Sequence, residues 1–190
     1  LQQSMKWILV VTYAVACGTV GIAPDFVVFF WGNDFLESAS ILSVLVCSLP
    51  FVAFASVIRM QYLIPKHMDK DYIISVSGGA IVNLLINLLL IPQYAGIGAS
   101  IGTICAEAFV CLYQTWRVNK EVRAMSKLIE SIPLLLGAML MCYVVRYIGR
   151  MIEINLILRL VIEVIVGFIV YALFGFIFLK KDICEMIKKK

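Results

Sequence analysis

The chain has 190 residues, of which 63% are hydrophobic and 15% charged, and its mean hydropathy is +1.00. Soluble domains are about 45–50% apolar, so this composition excludes a soluble globular protein. With a formal net charge of +4, the sequence predicts an integral membrane protein whose partners include membrane lipids and no nucleic acid.

Cysteine and histidine do not indicate a metal site. Five of the six cysteines lie inside apolar segments, Cys184 lies in a lysine-rich tail, and the one histidine, His67, lies in a charged loop. A thiolate metal site needs paired spacing such as C-x-x-C, which the sequence lacks. We therefore expect no metal, no cofactor and no catalytic residue.

Six apolar segments follow one another along the chain. About 20 residues in a helix cover about 30 Å of hydrocarbon, and each segment reaches roughly that length. The sequence therefore predicts an all-α fold, a polytopic integral membrane helical bundle of six transmembrane helices. The predicted spans are 7–30, 41–64, 73–91, 95–116, 131–149 and 156–179.

Prolines predict irregular points in the first two spans. Pro24 lacks a backbone donor and clashes with the preceding turn, so a kink or break is expected over 21–25, with Asp25 at or near a membrane interface. Pro50 is expected to interrupt the second span, and Arg59 lies near its far end. The loop between these spans carries two carboxylates that most simply form a solvated face.

The third and fourth segments meet at 92–96 and predict a transmembrane hairpin with one polar stripe on each arm. The first stripe recurs every four residues and the second every three or four. They comprise Ser75, Gly79, Asn83 and Asn87, and then Ser100, Thr103, Glu107, Cys111 and Gln114. Gly98, Gly102 and Ala106 form a separate face of small residues, which favours close helix packing.

Basic residues predict the orientation. In the linker 117–130, basic and apolar residues are spaced as in an amphipathic helix, which predicts that the linker lies along an anionic membrane surface. With the amino terminus in the cytoplasm, twelve Lys and Arg residues flank the inner side and three flank the outer side, namely Arg146, Arg150 and Arg159. The carboxy terminus is then cytoplasmic. Glu153 and Glu163 are possible partners of the three outer arginines.

Two runs of residues carry a family resemblance. The first contains Asn83, Asn87, Ile91-Pro92, Tyr94, Gly98-Ala99, Thr103 and Glu107, and the second contains Ile22-Ala23-Pro24 and Phe30-Trp31-Gly32. They resemble signatures of bacterial polysaccharide flippases in the multidrug/oligosaccharidyl-lipid/polysaccharide exporter superfamily. The resemblance covers residues 7–116. Gly96 lies one position later than the first glycine of the family signature.

The resemblance implies the carboxy-terminal half of a MATE-like flippase in the bacterial cytoplasmic (inner) membrane. Residues 1–116 would form a four-helix core, 117–130 a cytoplasmic linker, and 131–190 two final helices with a basic tail. Such a protein translocates a polyprenyl-diphosphate-linked oligosaccharide for cell-surface polysaccharide biosynthesis and is not an enzyme. Because the chain starts at Leu1 rather than Met, we expect a longer protein that supplies the missing amino-terminal half.

Three alternatives stay open from the sequence. A multidrug exporter of the same superfamily is the nearest. A membrane-embedded glycosyl- or phosphotransferase would need carboxylates or histidines that converge on a metal, and no such cluster is visible. A scaffold without transport would make the polar stripes dispensable.

The candidate substrate-binding residues are Arg59, Asn83, Asn87 and Gln114, and Glu107 is the candidate ion-coupling residue. Arg59 could meet the diphosphate with paired donors or extend towards the headgroups. The asparagines could line a cavity or bond to neighbouring helices. Glu107 could couple transport to a proton or cation, or be a protonated or paired structural carboxyl.

Overall fold

The computed structural model describes the backbone of residues 1–152 and 154–188 and the side chains of 1–152 and 154–178. Glu153 and the side chain of Cys184, which enter the predictions above, lie outside the described residues. Every regular element within that part of the chain is helical, and it contains no strand. The all-α prediction is confirmed to that extent.

The described residues form seven α-helices, and 3₁₀ or π-helical turns lie between some of them. A 3₁₀ turn covers Asn33–Phe35, a second covers Val46–Ser48, and a π-helical turn covers Arg59–Leu63. The α-helices are α1 (Gln2–Trp31), α2 (Glu37–Leu45), α3 (Leu49–Ile58), α4 (Asp69–Val122), α5 (Ala124–Glu130), α6 (Ile132–Met151) and α7 (Leu156–Lys188).

Among the described residues, five helical stretches are long and apolar enough to cross a membrane. One of them is α4, whose 54 residues would extend about 80 Å as a straight helix, more than twice the hydrocarbon thickness. The helix does not run straight, because Ala95 adopts φ 45° and ψ −122°, far from helical values. The prediction of six transmembrane helices counts its two arms separately, as 73–91 and 95–116, so the count of six is not confirmed by these five stretches.

The two arms fold back on one another, so the predicted hairpin is confirmed. A Cβ atom added to Gly98 would lie 2.5 Å from the carbonyl oxygen of Leu90, and one on Gly79 would lie 3.3 Å from that of Ala106. Such contacts exist only where two backbones approach closely. Gly98, Gly102 and Ala106 therefore pack against the first arm, as their spacing predicts.

The helix α1 contacts most of the remaining helices. It packs against α2, α3, α6 and α7, whereas α4 packs against α2, α3 and α5. Phe54 and Ile58 of α3 are fully buried where these groups meet. The hairpin is thus attached to the bundle through α2 and α3, and this attachment places its polar stripes beside α3.

Pro24 does not break α1, which is continuous from Gln2 to Trp31. Of the kink or break expected there, the break is absent, and the kink stays a prediction. A proline inside a helix removes one backbone hydrogen bond, and the packing of Gly21 against Val145 of α6 supports the helix on the preceding turn. The predicted interruption of the second span at Pro50 is observed. Pro50 lies in the first turn of α3, directly after the 3₁₀ turn, where a missing N–H costs least.

The linker 117–130 is not one helix. The second arm of α4 continues to Val122, and Arg123 then takes a left-handed conformation with φ 52° before α5 begins. The side chain of Asn119 accepts a 3.0 Å hydrogen bond from the backbone N–H of Met125, which satisfies one free donor in the first turn of α5. The chain therefore changes direction within the basic linker.

Candidate functional site

A cavity of about 380 Å³ lies between α3 and the two arms of α4. Four of the five predicted site residues line it, and they come from three separate segments. These residues are Arg59, Asn83, Glu107 and Gln114. The remaining lining is mainly small or apolar, with Val52, Ala55, Val76, Ala80 and Val110 among its residues.

Arg59 reaches the cavity from the π-helical turn at the end of the second span. Its guanidinium lies 5.7 Å from the ring centroid of Tyr72, and Nη2 donates a 3.2 Å hydrogen bond to Ser56 Oγ. The Nε atom is buried without a hydrogen-bond partner among the described residues. A buried donor without a partner is costly, so this side chain offers hydrogen-bonding capacity to a ligand.

A π-helical turn begins at Arg59 and changes the register of the residues that follow it. The N–H of Ile64 bonds to the carbonyl of Arg59 at 3.0 Å, five residues back instead of four. This extra residue rotates the side chains that follow relative to those of α3, and such turns often occur at functional sites. Pro65 comes next and has no N–H, which ends the helix.

Gln114 reaches the same cavity from the second arm. Its Nε2 donates a 2.9 Å hydrogen bond to Ser75 Oγ on the first arm, and both side chains are buried. Its Oε1 has no partner among the described residues. The amide therefore links the arms through its donor and keeps an acceptor free at the wall of the cavity.

The two asparagines bond to one another. Asn87 Nδ2 donates to Asn83 Oδ1 at 2.9 Å, one helical turn apart. Asn83 lines the cavity, whereas Asn87 lies beyond its lining and packs against Gly102. Asn87 thus holds the amide of Asn83 in place. It does not line the cavity itself, which is the position that the sequence suggests for it.

Glu107 lies near the middle of the second arm and is partly exposed to the cavity. It makes no ion pair or hydrogen bond with any other described residue. Thr103, one turn earlier, donates a 3.1 Å hydrogen bond to the carbonyl of Ala99. The cavity therefore contains one cation, Arg59, and one carboxyl group, Glu107, that are not paired with each other.

Sequence reasoning missed the ion pairs that close one end of the hairpin. Arg117 Nε and Nη2 donate to both oxygens of Asp71, at 2.6 and 3.0 Å. Lys66 contacts the carboxylate of Glu121, which raises the pKa of its ammonium group above the usual range, and also the hydroxyl of Tyr62. Antiparallel arms place residues at similar distances from the turn opposite one another, and that rule would have found the first pair.

A second polar cluster lies between α1 and α7. Arg159 pairs with Asp25, with Nη2 2.6 Å from Oδ1 and Nε 2.5 Å from Oδ2. The sequence offered Glu153 and Glu163 as possible partners of the outer arginines. Glu153 lies outside the described residues, and the ion-pair partner of Arg159 is Asp25 rather than Glu163. Asp25 was overlooked because it is distant in sequence and reaches Arg159 only through the packing of α1 on α7.

Metal-binding geometry is absent from the described residues, where no group of three His, Cys, Asp or Glu side chains converges.

Comparison with known proteins gives one informative match. No protein-family model matches the chain, and no curated protein sequence is significantly similar to it. Among solved structures, the chain is similar to lipid II flippase MurJ in an inward closed conformation, with a TM-score of 0.74 and 21% sequence identity. The match covers 94% of this chain and 38% of that one. The chain therefore has the helical fold of part of a membrane flippase and spans less than half of its length.

Proposed function

We propose that the chain is part of a transporter that moves a polyprenyl-diphosphate-linked oligosaccharide across the bacterial cytoplasmic membrane. The observation that carries this proposal is the cavity between α3 and the hairpin, into which Arg59, Asn83, Glu107 and Gln114 converge. Polar groups at membrane depth are costly and usually mark a pathway. Similarity to the fold of lipid II flippase MurJ supports a substrate that is linked to a lipid.

The cavity suits the chemistry of such a substrate. A planar guanidinium presents paired donors to phosphate oxygens, and Arg59 retains an unpartnered Nε. Asn83 and Gln114 carry amides that bond to sugar hydroxyls. The polyprenyl tail needs no polar partner and stays in the bilayer, beside the exposed leucines of the first arm, Leu84, Leu85, Leu88 and Leu89.

Glu107 supplies the coupling group in this proposal. It lines the same cavity as Arg59, so its charge state changes the field that a diphosphate meets. An ionised carboxylate repels the phosphates, whereas a protonated or cation-bound one does not. Uptake of a proton or cation at Glu107 would therefore favour binding, and its loss would favour release.

The rest of the transporter is a partner in this proposal. We infer six spans, with the two arms of α4 crossing separately, a core over 1–116, a cytoplasmic linker over 117–130, and two final helices with a basic tail over 131–190. A missing amino-terminal half would face this bundle, and the two halves would rock around the cavity. The substrate is translocated without the formation of a covalent bond.

The test uses the full natural gene product, reconstituted into vesicles with a fluorescent diphosphate-linked oligosaccharide lipid. Translocation is followed as protection from an impermeant quencher. Arg59→Ala should slow it by about 10-fold or more, because a charge-assisted hydrogen bond contributes about 1.5–3 kcal/mol. Arg59→Lys should have a smaller effect, since lysine keeps the charge and loses the paired geometry.

Met60→Ala is the matched control, since Met60 is the next residue and is 59% exposed. It should translocate at the wild-type rate. A wild-type rate for Arg59→Lys and Arg59→Ala would contradict the role of Arg59. Export of amphipathic drugs without movement of the lipid would indicate a multidrug exporter, and a new glycosidic product would indicate a transferase.

A further inference from the structure

Three ionisable side chains join α1 to α7 at a distance from the hairpin cavity. Asp25 lies on α1, and Arg159 and Glu163 lie one turn apart on α7. Arg159 faces both oxygens of Asp25, at 2.6 Å from Nη2 and 2.5 Å from Nε. The side chains of Arg159 and Asp25 are 27% and 18% exposed. Asp25 therefore has a cation of its own within a largely shielded site.

Glu163 is more deeply buried and has no such partner. It is 3% exposed, and its Oε2 has no hydrogen-bond partner among the described residues. A Cβ atom on Gly149 of α6 would collide with Glu163 Oε1 and lie 3.9 Å from Asp25 Oδ2. The two carboxyl groups thus lie against the same glycine, next to one another.

The charges around Glu163 come from all three helices that pack there. Asp25 lies on α1, Arg159 on α7, and Arg146 and Arg150 on α6, and with Glu163 they line a cavity of about 450 Å³. Arg146 and Arg150 are exposed. Within the described residues, only Arg159 pairs with either carboxyl. Two ionised carboxylates would leave the charge of Glu163 without an ion-pair partner in a buried place and beside a second negative charge, which is strongly disfavoured.

We propose that Asp25 and Glu163 hold one proton between them while Arg159 balances the remaining negative charge, so that the cluster is a proton-binding site that fastens α7 to α1. A proton on Glu163 lets its carboxyl donate to Asp25, and it removes the repulsion between the two groups. Loss of the proton at higher pH restores that repulsion and weakens the contact between the helices. The site does not depend on the proposed transport, and its test needs no substrate.

Infrared spectra of the full natural gene product in lipid nanodiscs, taken at stepped pH, test the shared proton. The carbonyl stretch of a protonated carboxyl should be present near neutral pH and disappear as the pH rises. In Glu163→Gln that titrating component should be lost, because an amide holds shape and hydrogen bonding without titrating. Asp25→Asn should also remove it, since Glu163 can then pair with Arg159 as a carboxylate.

The matched control is Glu107→Gln, which removes another carboxyl inside the membrane and leaves this cluster intact. It should retain the component. A component whose amplitude is unchanged in Glu163→Gln, or that is reduced only in Glu107→Gln, overturns the proposal. If neither cluster variant folds, Glu107→Gln protein with ¹³C-labelled Asp and Glu side chains decides the matter. Its component must shift on labelling and titrate with pH in the absence of the Glu107 carboxyl, and a spectrum without such a component overturns the proposal.

Thermal unfolding gives a second readout. The wild-type unfolding midpoint should fall over the pH range in which the infrared component disappears, and Glu163→Gln should lose that fall. If Glu163 had only a structural role, Glu163→Gln would lower the unfolding midpoint at all pH values and leave the pH dependence of that midpoint unchanged. An unchanged pH dependence in Glu163→Gln therefore counts against a proton at this position.

Discussion

Gln114 and Ser75 link the two arms of the hairpin through a 2.9 Å hydrogen bond, and the side chains are only 2% and 0% exposed. Ser75→Ala leaves the Gln114 amide without its acceptor in a buried place. We expect a loss of about 1–2 kcal/mol in the free energy of unfolding, because an unpaired buried donor costs this much. Urea or heat unfolding of the purified protein in detergent measures it.

A double-mutant cycle isolates the interaction. The pair Ser75→Ala and Gln114→Leu together should cost less than the sum of the single changes, since replacement of both partners by apolar groups is close to neutral. Additive effects of the two changes would show that this hydrogen bond contributes little to stability. Transport is not used here, because Gln114 also lines the cavity.

Gly98→Ala should destabilise the hairpin. The new methyl group would lie 2.5 Å from the carbonyl oxygen of Leu90, and this backbone atom cannot move without separating the arms. Overpacking of this kind costs about 1–3 kcal/mol. The measurement is the unfolding midpoint.

Gly18→Ala is the matched control for that substitution. Its methyl group would meet only the Cε atom of Met141, at an ordinary 3.6 Å, so its effect should stay within about 0.5 kcal/mol. Equal loss in the two variants would argue that helix propensity or handling, rather than the close approach of the arms, sets the result.

Glu107→Gln and Asn87→Leu should each slow translocation in the vesicle assay while insertion and abundance stay near normal. Glutamine keeps the shape and hydrogen bonding of Glu107 and removes its charge, so it separates the role of the charge from the role of packing. Leucine removes the amide that donates to Asn83 Oδ1, which leaves Asn83 free to rotate away from the cavity. A parallel fall in protein level and activity would instead indicate structural roles.

The orientation of the chain makes a prediction that depends on the sequence alone. Twelve Lys and Arg residues flank one side of the predicted spans and three flank the other, which places the carboxy-terminal tail in the cytoplasm. A membrane-impermeant thiol reagent should reach Cys184 only in opened cells. The reagent should be applied to a variant in which the other five cysteines are replaced by serine or alanine. Labelling of Cys184 in intact cells would show that the chain has the opposite orientation.

The sequence determined the membrane setting, the helical class and the hairpin, because each depends on local composition. Twenty apolar residues form a helix in lipid wherever they occur, and the turn at 92–96 interrupts one such run. The spacing of Gly98, Gly102 and Ala106 predicts close packing, and the structure shows that the first arm is the partner. Arg59, Asn83, Glu107 and Gln114 were found as candidates because polar residues are rare in such segments.

The tertiary structure decided which of these residues meet. Asn87 donates to Asn83 and lies beyond the cavity lining, a difference set by how the arms pack against each other and not by the four-residue spacing of the stripe. The partner of Arg159 is Asp25, more than a hundred residues away. Helix periodicity predicts which side chains share a face of a helix. Only the packing of α1 on α7 decides which faces touch, because that packing depends on contacts between distant parts of the chain.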